Sequence, residues 1–242
     1  MTPSDLHPDP HPDLHPIVSR AADGILPGWA RAGEERREHM ARVADVLEGW
    51  ARALDREPGE IRRWRSLGFL HDALRDAAAD DLRSMMDSST TNASVMDAVI
   101  ETREGQGWRL DRHAFGLDRV DCPGDSVDEW APVDGSLHGP AMAARLAGEG
   151  VEDGELLSAV AYHTVGHPDL GAVGRALYCA DFLEPGRPSD GDERADLRAR
   201  YPQEPDAVLR AVLRKRIGYL LQRGRPIFLG TVRMWNRSSR SE

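Results

Sequence analysis

Lysine is almost missing from this chain, and cysteine is scarce. Lys215 is the only lysine among 31 basic residues, so nearly all positive charge is carried by arginine. A phosphate contact would therefore have to come from arginine, a backbone N–H or a bound metal. Two cysteines, Cys122 and Cys179, are too few for a disulfide framework or a cysteine-built zinc site. A reducing, cytoplasmic address fits them best. No apolar run approaches the roughly 18 residues that a membrane span requires. The stretch from Met1 to Pro16 alternates His, Pro and Asp without an apolar segment, and so does not read as a secretory signal. Basic residues are outnumbered by 41 acidic ones, giving a net charge of -10. General nucleic-acid binding is disfavoured by that balance, because the phosphate backbone repels an acidic surface. A small phosphorylated substrate stays open, since a bound divalent cation dominates its immediate surroundings.

What is present is an ordinary globular composition. The 242 residues are 40% hydrophobic and 30% charged, enough to bury a core without a disulfide or metal staple. Residues 1–24 read as a flexible Pro/His-rich lead, 25–236 as one all-α domain, and 237–242 as a frayed tail. Within the domain, His39, Val43, Val46, Trp50 and Leu54 recur at intervals of three or four, one face of a helix over about 31–54. Ile61, Trp64, Leu67, His71 and Leu74 do the same over about 60–78. Further helices are expected over 139–147, 152–162, 171–183 and 206–222, the last closed by Gly224. Residues 226–236 look extended. Between about 85 and 130 the pattern breaks into Ser, Thr, Asn, Gly and Pro with isolated Trp108 and Trp130. This reads as a surface insertion with at most one short helix, over about 93–104.

Six ionisable residues sit on stripes that should face the core or at helix ends: His39, the adjacent pair His71 and Asp72, His138, His163 and Asp181. Singly, each has a plain explanation, a hydrogen-bonded core histidine or a helix-capping aspartate. Together they are harder to explain, because unpaired buried ionisable groups cost several kcal/mol each. One or two divalent metals would compensate them. Imidazole and carboxylate without thiolate suit iron, manganese, zinc or a similar transition metal. A carboxylate such as Asp72 has two oxygens and can serve two ions.

The order His39, His71-Asp72, Asp181 resembles the HD superfamily of metal-dependent phosphohydrolases. The blocks Leu137-His-Gly-Pro140, Tyr162-His-Thr-Val-Gly166 and Ala180-Asp-Phe-Leu-Glu-Pro-Gly-Arg187 resemble those of the YqeK-type symmetrical diadenosine tetraphosphate hydrolases. Gly230-Thr-Val-Arg-Met-Trp-Asn236 is similar to that family's terminal motif. The resemblance runs from about Arg36 to Asn236, apart from the insertion. It implies an HD-domain helical bundle and two divalent transition-metal ions, iron first, with manganese, cobalt or zinc as alternatives. It also implies that His39, His71, Asp72 and Asp181 hold the first ion, and that His138 and His163 hold the second, with Asp72 shared. A hydroxide between the ions would attack an inner phosphorus, and a symmetrical dinucleotide would leave as two ADP. Asp72 and Arg75 would be the catalytic residues. Arg75, Thr164, Gly166, His167 and Arg187 would line the substrate, and the plain alternative for Arg75 is an ion pair with Asp76. Glu184 reads as the structural partner of an arginine rather than a catalytic acid.

Two departures bear on the substrate. His167 stands where the family usually carries arginine, and the gap from Asp72 to His138 is longer than the resemblance implies. The inserted segment, with His113 and Phe115, would cover the site as a lid, reshape its pocket or remain a surface loop; His113 is a minor candidate for an extra ligand. The expected function is hydrolysis of diadenosine tetraphosphate in the cytoplasm, with no nucleic-acid or membrane partner and with a homodimer suggested by the resemblance. The alternatives are another HD-type nucleotide phosphohydrolase, such as a nucleotidase or cyclic-nucleotide phosphodiesterase, and a catalytically silent metal- or nucleotide-binding module.

Overall fold

Helix α2 (Glu34–Ala53) is the element on which the fold is built. Glu34 and Glu35 in its first turn and Arg52 in its last complement the helix dipole. Its apolar stripe buries Met40, Val43, Ala44, Leu47 and Trp50. A computed structural model describes residues 14–87, 110–115, 134–186 and 191–239. Among the described residues all regular structure is helical: α1 (Pro16–Ala22), α2, α3 (Pro58–Leu70), α4 (Ala79–Asp87), α5 (His138–Gly148), α6 (Gly154–Tyr162), α7 (Ala172–Leu183), α8 (Gly191–Arg200), α9 (Pro205–Gln222) and α10 (Leu229–Ser238), with 3₁₀ turns at Arg112–Phe115 and Asp134–Ser136. No described helix is long and apolar enough to cross a membrane.

Two glycine contacts set the distances between helices. Helix α3 crosses α2 so closely at Gly68 that a Cβ there would lie 2.3 Å from the Cα of Ala44. Helix α5 meets α6 at Gly139, where a Cβ would lie 2.7 Å from the carbonyl oxygen of Ala161. Helix α7 then packs on both α2 and α6, so the two pairs face each other across one core.

Three expectations are corrected. The lead does not extend to residue 24, because Pro16 opens α1 and Val18, Ala21 and Ala22 are buried. Helix α1 is held on α3 by Arg62, which bonds Asp23 at 3.0 Å, and by Arg65, which bonds the carbonyl of Ala22. The segment expected to be extended over 226–236 forms α10, which also takes in Arg237 and Ser238 from the expected frayed tail. Thr, Val and Trp favour strands weakly, and docking overrides that preference. Thr231 Oγ1 donates to the carbonyl of Val165 at 2.6 Å, and Met234 is buried. Finally, α3 stops at Leu70 rather than near 78. Residues 71–77 continue as tight turns with i to i−3 hydrogen bonds from Ala73, Arg75 and Ala77.

The helix expected over 93–104 lies outside the described residues, as do Trp108 and Trp130. The described part of the insertion is built into the core. Leu110, Ala114 and Phe115 are buried, Phe115 stacks on Tyr162 with ring centroids 5.4 Å apart, and the stretch contacts α10. Phe115→Ala is expected to cost about 3–5 kcal/mol in urea unfolding. A cost below about 1 kcal/mol would show that these residues are not part of the cooperative core.

Candidate metal centre

Most of the candidate residues stand at helix ends, where side chains from different elements can converge. His71 caps the C-terminus of α3, Asp72 follows in the turn, His138 opens α5, and His163 caps the C-terminus of α6. Asp181 lies near the end of α7, and His39 lies within α2. Adjacent residues on a continuing helix point about 100° apart. The tightened turn after Leu70 lets both His71 and Asp72 address one site. Gly166, with φ of 75°, closes the turn after His163 through its N–H to the carbonyl of Tyr162, in a left-handed conformation that suits glycine.

All six side chains are buried or nearly so. The two oxygens of Asp72 face different neighbours. Oδ1 lies 3.0 Å from His138 Nε2 and 3.4 Å from His163 Nε2. Oδ2 lies 3.7 Å from His71 Nε2 and 3.8 Å from His39 Nε2. Two triads result, His39 with His71 and Asp72, and Asp72 with His138 and His163, each with its potential ligand atoms within 4.8 Å of one another. Asp181 Oδ1 adds a carboxylate 3.2 Å from His39 Nε2.

The donor set fits divalent cations. His71 Nδ1 lies 2.9 Å from the carbonyl of Gly68, and His163 Nδ1 lies 2.7 Å from that of Val160. A carbonyl only accepts, so each Nδ1 carries the proton and each Nε2 turns a lone pair inward, as a hydrogen bond on the far nitrogen does for metal-binding histidines. His71 Nε2 and His39 Nε2 are buried without a well-directed hydrogen bond. Nitrogen lone pairs crowd around a carboxylate, and a cation is what would make that favourable.

Electrostatics agree. Burial pushes His71 down to about 4 and also lowers His138, so both imidazoles are neutral and able to ligate. Burial opposes ionisation of Asp72, while positive charge or an N–H on His71, His138 and His163 would hold its carboxyl well below the usual range; with those imidazoles neutral, a bound cation takes that part. Burial also opposes the charge on His39, but Asp181, Glu184 and Asp72 outweigh it and raise its pKa to about 9. The carboxylates thus favour positive charge at His39. A metal would supply that charge in place of the proton.

No protein-family model matches the chain. It is 30% identical over 102 residues to a symmetrical bis(5'-nucleosyl)-tetraphosphatase of Halalkalibacterium halodurans, a stretch covering 42% of this chain and 54% of that protein. Proteins of the same name from Staphylococcus aureus and Bacillus subtilis are 29% and 28% identical over 97 and 100 residues, covering 40% and 41% of this chain and 50% and 53% of theirs. The chain spans about half the length of the curated relatives it matches. Its architecture is similar to a crystal structure described as a predicted HD superfamily hydrolase involved in NAD metabolism from Clostridium acetobutylicum. That likeness has a TM-score of 0.62 at 18% identity and covers 92% of this chain and 97% of that one. The chain shares that protein's fold, an all-α HD-domain bundle.

Within the HD fold the remaining candidates are spread unevenly. Thr164 Oγ1 stands 3.1 Å from His163 Nε2 and 3.5 Å from His138 Nε2, at the edge of the second triad. Arg75 is half-buried beside Gly135, while Asp76, its suggested ion-pair partner, accepts from the N–H of Gly33. His167 points at the insertion. Its Nε2 lies 3.2 Å from Asp111 Oδ2, its ring stacks on Tyr162, and Asp111 also takes Arg233 at 3.3 Å. Arg187 and the side chain of His113 lie outside the described residues.

Two arginines at the site were not anticipated. Arg36 Nη1 donates to Asp72 Oδ2 at 2.9 Å, and Arg216 from α9 stands 4.0 Å from Asp181 Oδ2. Arg36 precedes His39 by three residues on α2, a spacing that places both on one face and was available as a signal. Arg216 has no comparable signal, being far from Asp181 along the chain.

Proposed function

We propose that the chain is a metal-dependent phosphohydrolase that holds two divalent ions and cleaves diadenosine tetraphosphate into two ADP. The observation that carries this reading is the division of Asp72, whose two oxygens serve two different histidine pairs. His39, His71, Asp72 and Asp181 would hold one ion, and Asp72, His138 and His163 the other. Iron is the first choice for both, with manganese, cobalt or zinc compatible with the same nitrogen and oxygen donors. Bound ions supply Lewis acidity for phosphate oxygens and a water of lowered pKa.

The protein's own residues bind and orient. Asp72 keeps the two histidine pairs in one geometry, and the protons on Nδ1 of His71 and His163 keep their Nε2 lone pairs inward. Arg75 would take a phosphate oxygen on the side of His138, and Thr164 with the turn at Gly166 would border the same side. Arg187 would contribute a further phosphate contact. His167 would have to exchange Asp111 for phosphate, so it contributes only if the insertion yields. Water would add to an inner phosphorus while the central P–O–P bond breaks, leaving one ADP on each side. The names of the curated relatives support a dinucleoside tetraphosphate cut symmetrically, the class to which this substrate belongs. We place the enzyme in the cytoplasm as a homodimer.

Metal analysis of the purified protein followed by chromatography of the products tests this directly. The expected result is two transition-metal ions per chain and ADP as the sole nucleotide product. AMP with ATP as products, or release of phosphate from nucleoside monophosphates, would move the activity to another HD-type phosphohydrolase. Bound metal with no turnover on any nucleotide would leave a silent binding module.

A further inference from the structure

Glu184 follows the last residue of α7 and is buried, with 2% of its surface exposed. Its two oxygens are also divided. Oε2 accepts from Arg42 Nε at 2.7 Å and from the N–H of Gly186 at 2.7 Å. Oε1 lies 3.4 Å from His39 Nδ1. His39 and Arg42 are three residues apart on α2, so Glu184 engages one face of that helix from the end of α7. Arg42 passes so close to the loop that a Cβ on Gly186 would fall 2.3 Å from its Nε. A side chain there would push the guanidinium aside, whereas glycine leaves Arg42 and its own N–H both bonded to Oε2.

We propose that Glu184 is the positioning residue of the metal centre: it holds the proton on Nδ1 of His39 and thereby turns Nε2 toward Asp181 and Asp72. His71 and His163 get the same service from backbone carbonyls. His39 lies inside a helix, where the neighbouring carbonyls are already used, so it needs a side chain from another element. A carboxylate does more than a carbonyl here, because its charge also raises the basicity of the imidazole it supports. The Glu-Pro-Gly turn is thus a bracket for His39, with Arg42 and Gly186 fixing the bracket itself.

This inference rests on the reading of the site as a metal centre. Its test is cobalt binding, measured by chelator competition and by the visible spectrum of the bound ion, on the full chain. Glu184→Gln is expected to weaken cobalt binding about 10–100-fold and to alter the spectrum. In a His39→Ala background the same substitution is expected to add nothing, since its effect passes through His39. An equal loss in both backgrounds, or unchanged affinity in Glu184→Gln, would overturn the proposal. A wild-type chain that binds no cobalt would instead defeat the metal-centre reading. The unsubstituted protein gives an independent answer should the variant not fold. In the zinc-loaded wild type, nitrogen-15 NMR of His39 should show the proton on Nδ1, and metal on Nδ1 would refute the positioning role.

Discussion

Asp72→Asn is expected to remove metal and hydrolysis together, with turnover falling on the order of a thousandfold or more. Asparagine keeps the size of the side chain but loses the charge, and its amide nitrogen cannot ligate. One end of the group would then present N–H donors to a histidine pair in place of a carboxylate oxygen. Both pairs depend on that carboxylate, so the loss should not stop at one ion. Metal analysis of Asp72→Asn should find neither site filled at concentrations that saturate the wild type. Retention of one ion per chain would show that one pair is complete without Asp72. Retention of both would remove the basis for placing Asp72 between them.

Gly68→Ala is expected to be the most damaging of the small core substitutions. The added methyl would lie 2.3 Å from the Cα and N of Ala44 and 2.6 Å from its Cβ. Both elements are helical backbone there, so nothing yields except the separation of α2 and α3. Overpacking of this kind costs about 3 kcal/mol or more, against about 1 kcal/mol returned by replacing a helical glycine with alanine. The net loss should be about 2 kcal/mol or more, read from urea unfolding. Gly49 is the control, since it lies in α2 with no atom within 4 Å of an added Cβ. Gly49→Ala should stabilise the protein by up to about 1 kcal/mol. The carbonyl of Gly68 also receives the proton of His71 Nδ1, so metal affinity should fall in Gly68→Ala and hold in Gly49→Ala. Equal stability of the two variants would mean that the α2–α3 contact is not a constraint.

How much of this was legible beforehand differs from residue to residue. His39 was visible because it shares a helical stripe with Val43, Val46 and Trp50, and burial of an ionisable group on such a stripe asks for a partner. His71 was visible for the same reason, although its helix ends one residue earlier and the pair with Asp72 works from a turn. Arg36 stood one turn before His39 and could have been noticed. Arg216 and Asp111 could not, because their neighbours come from other elements and leave no periodic trace. Helix α10 was missed because its Thr, Val and Trp carry weak strand preference. What makes it helical is the docking of Thr231, Gly230 and Met234 against the turn at Gly166.

The sequence by itself determined that the chain is helical, which of its histidines and aspartates are buried, and that nitrogen and oxygen rather than thiolate would bind any metal. These follow from local periodicity and from the chemistry of the side chains, which need no partner to be read. The tertiary structure decided which oxygen of Asp72 meets which histidine, that Glu184 reaches His39, and that Asp111 occupies His167. Those relations depend on distances between helices, set at contacts such as Gly68 on Ala44 and Gly139 on Ala161. A spacing along one chain carries no information about the separation of two helix axes, and that separation is what brings the six ligand candidates to one place.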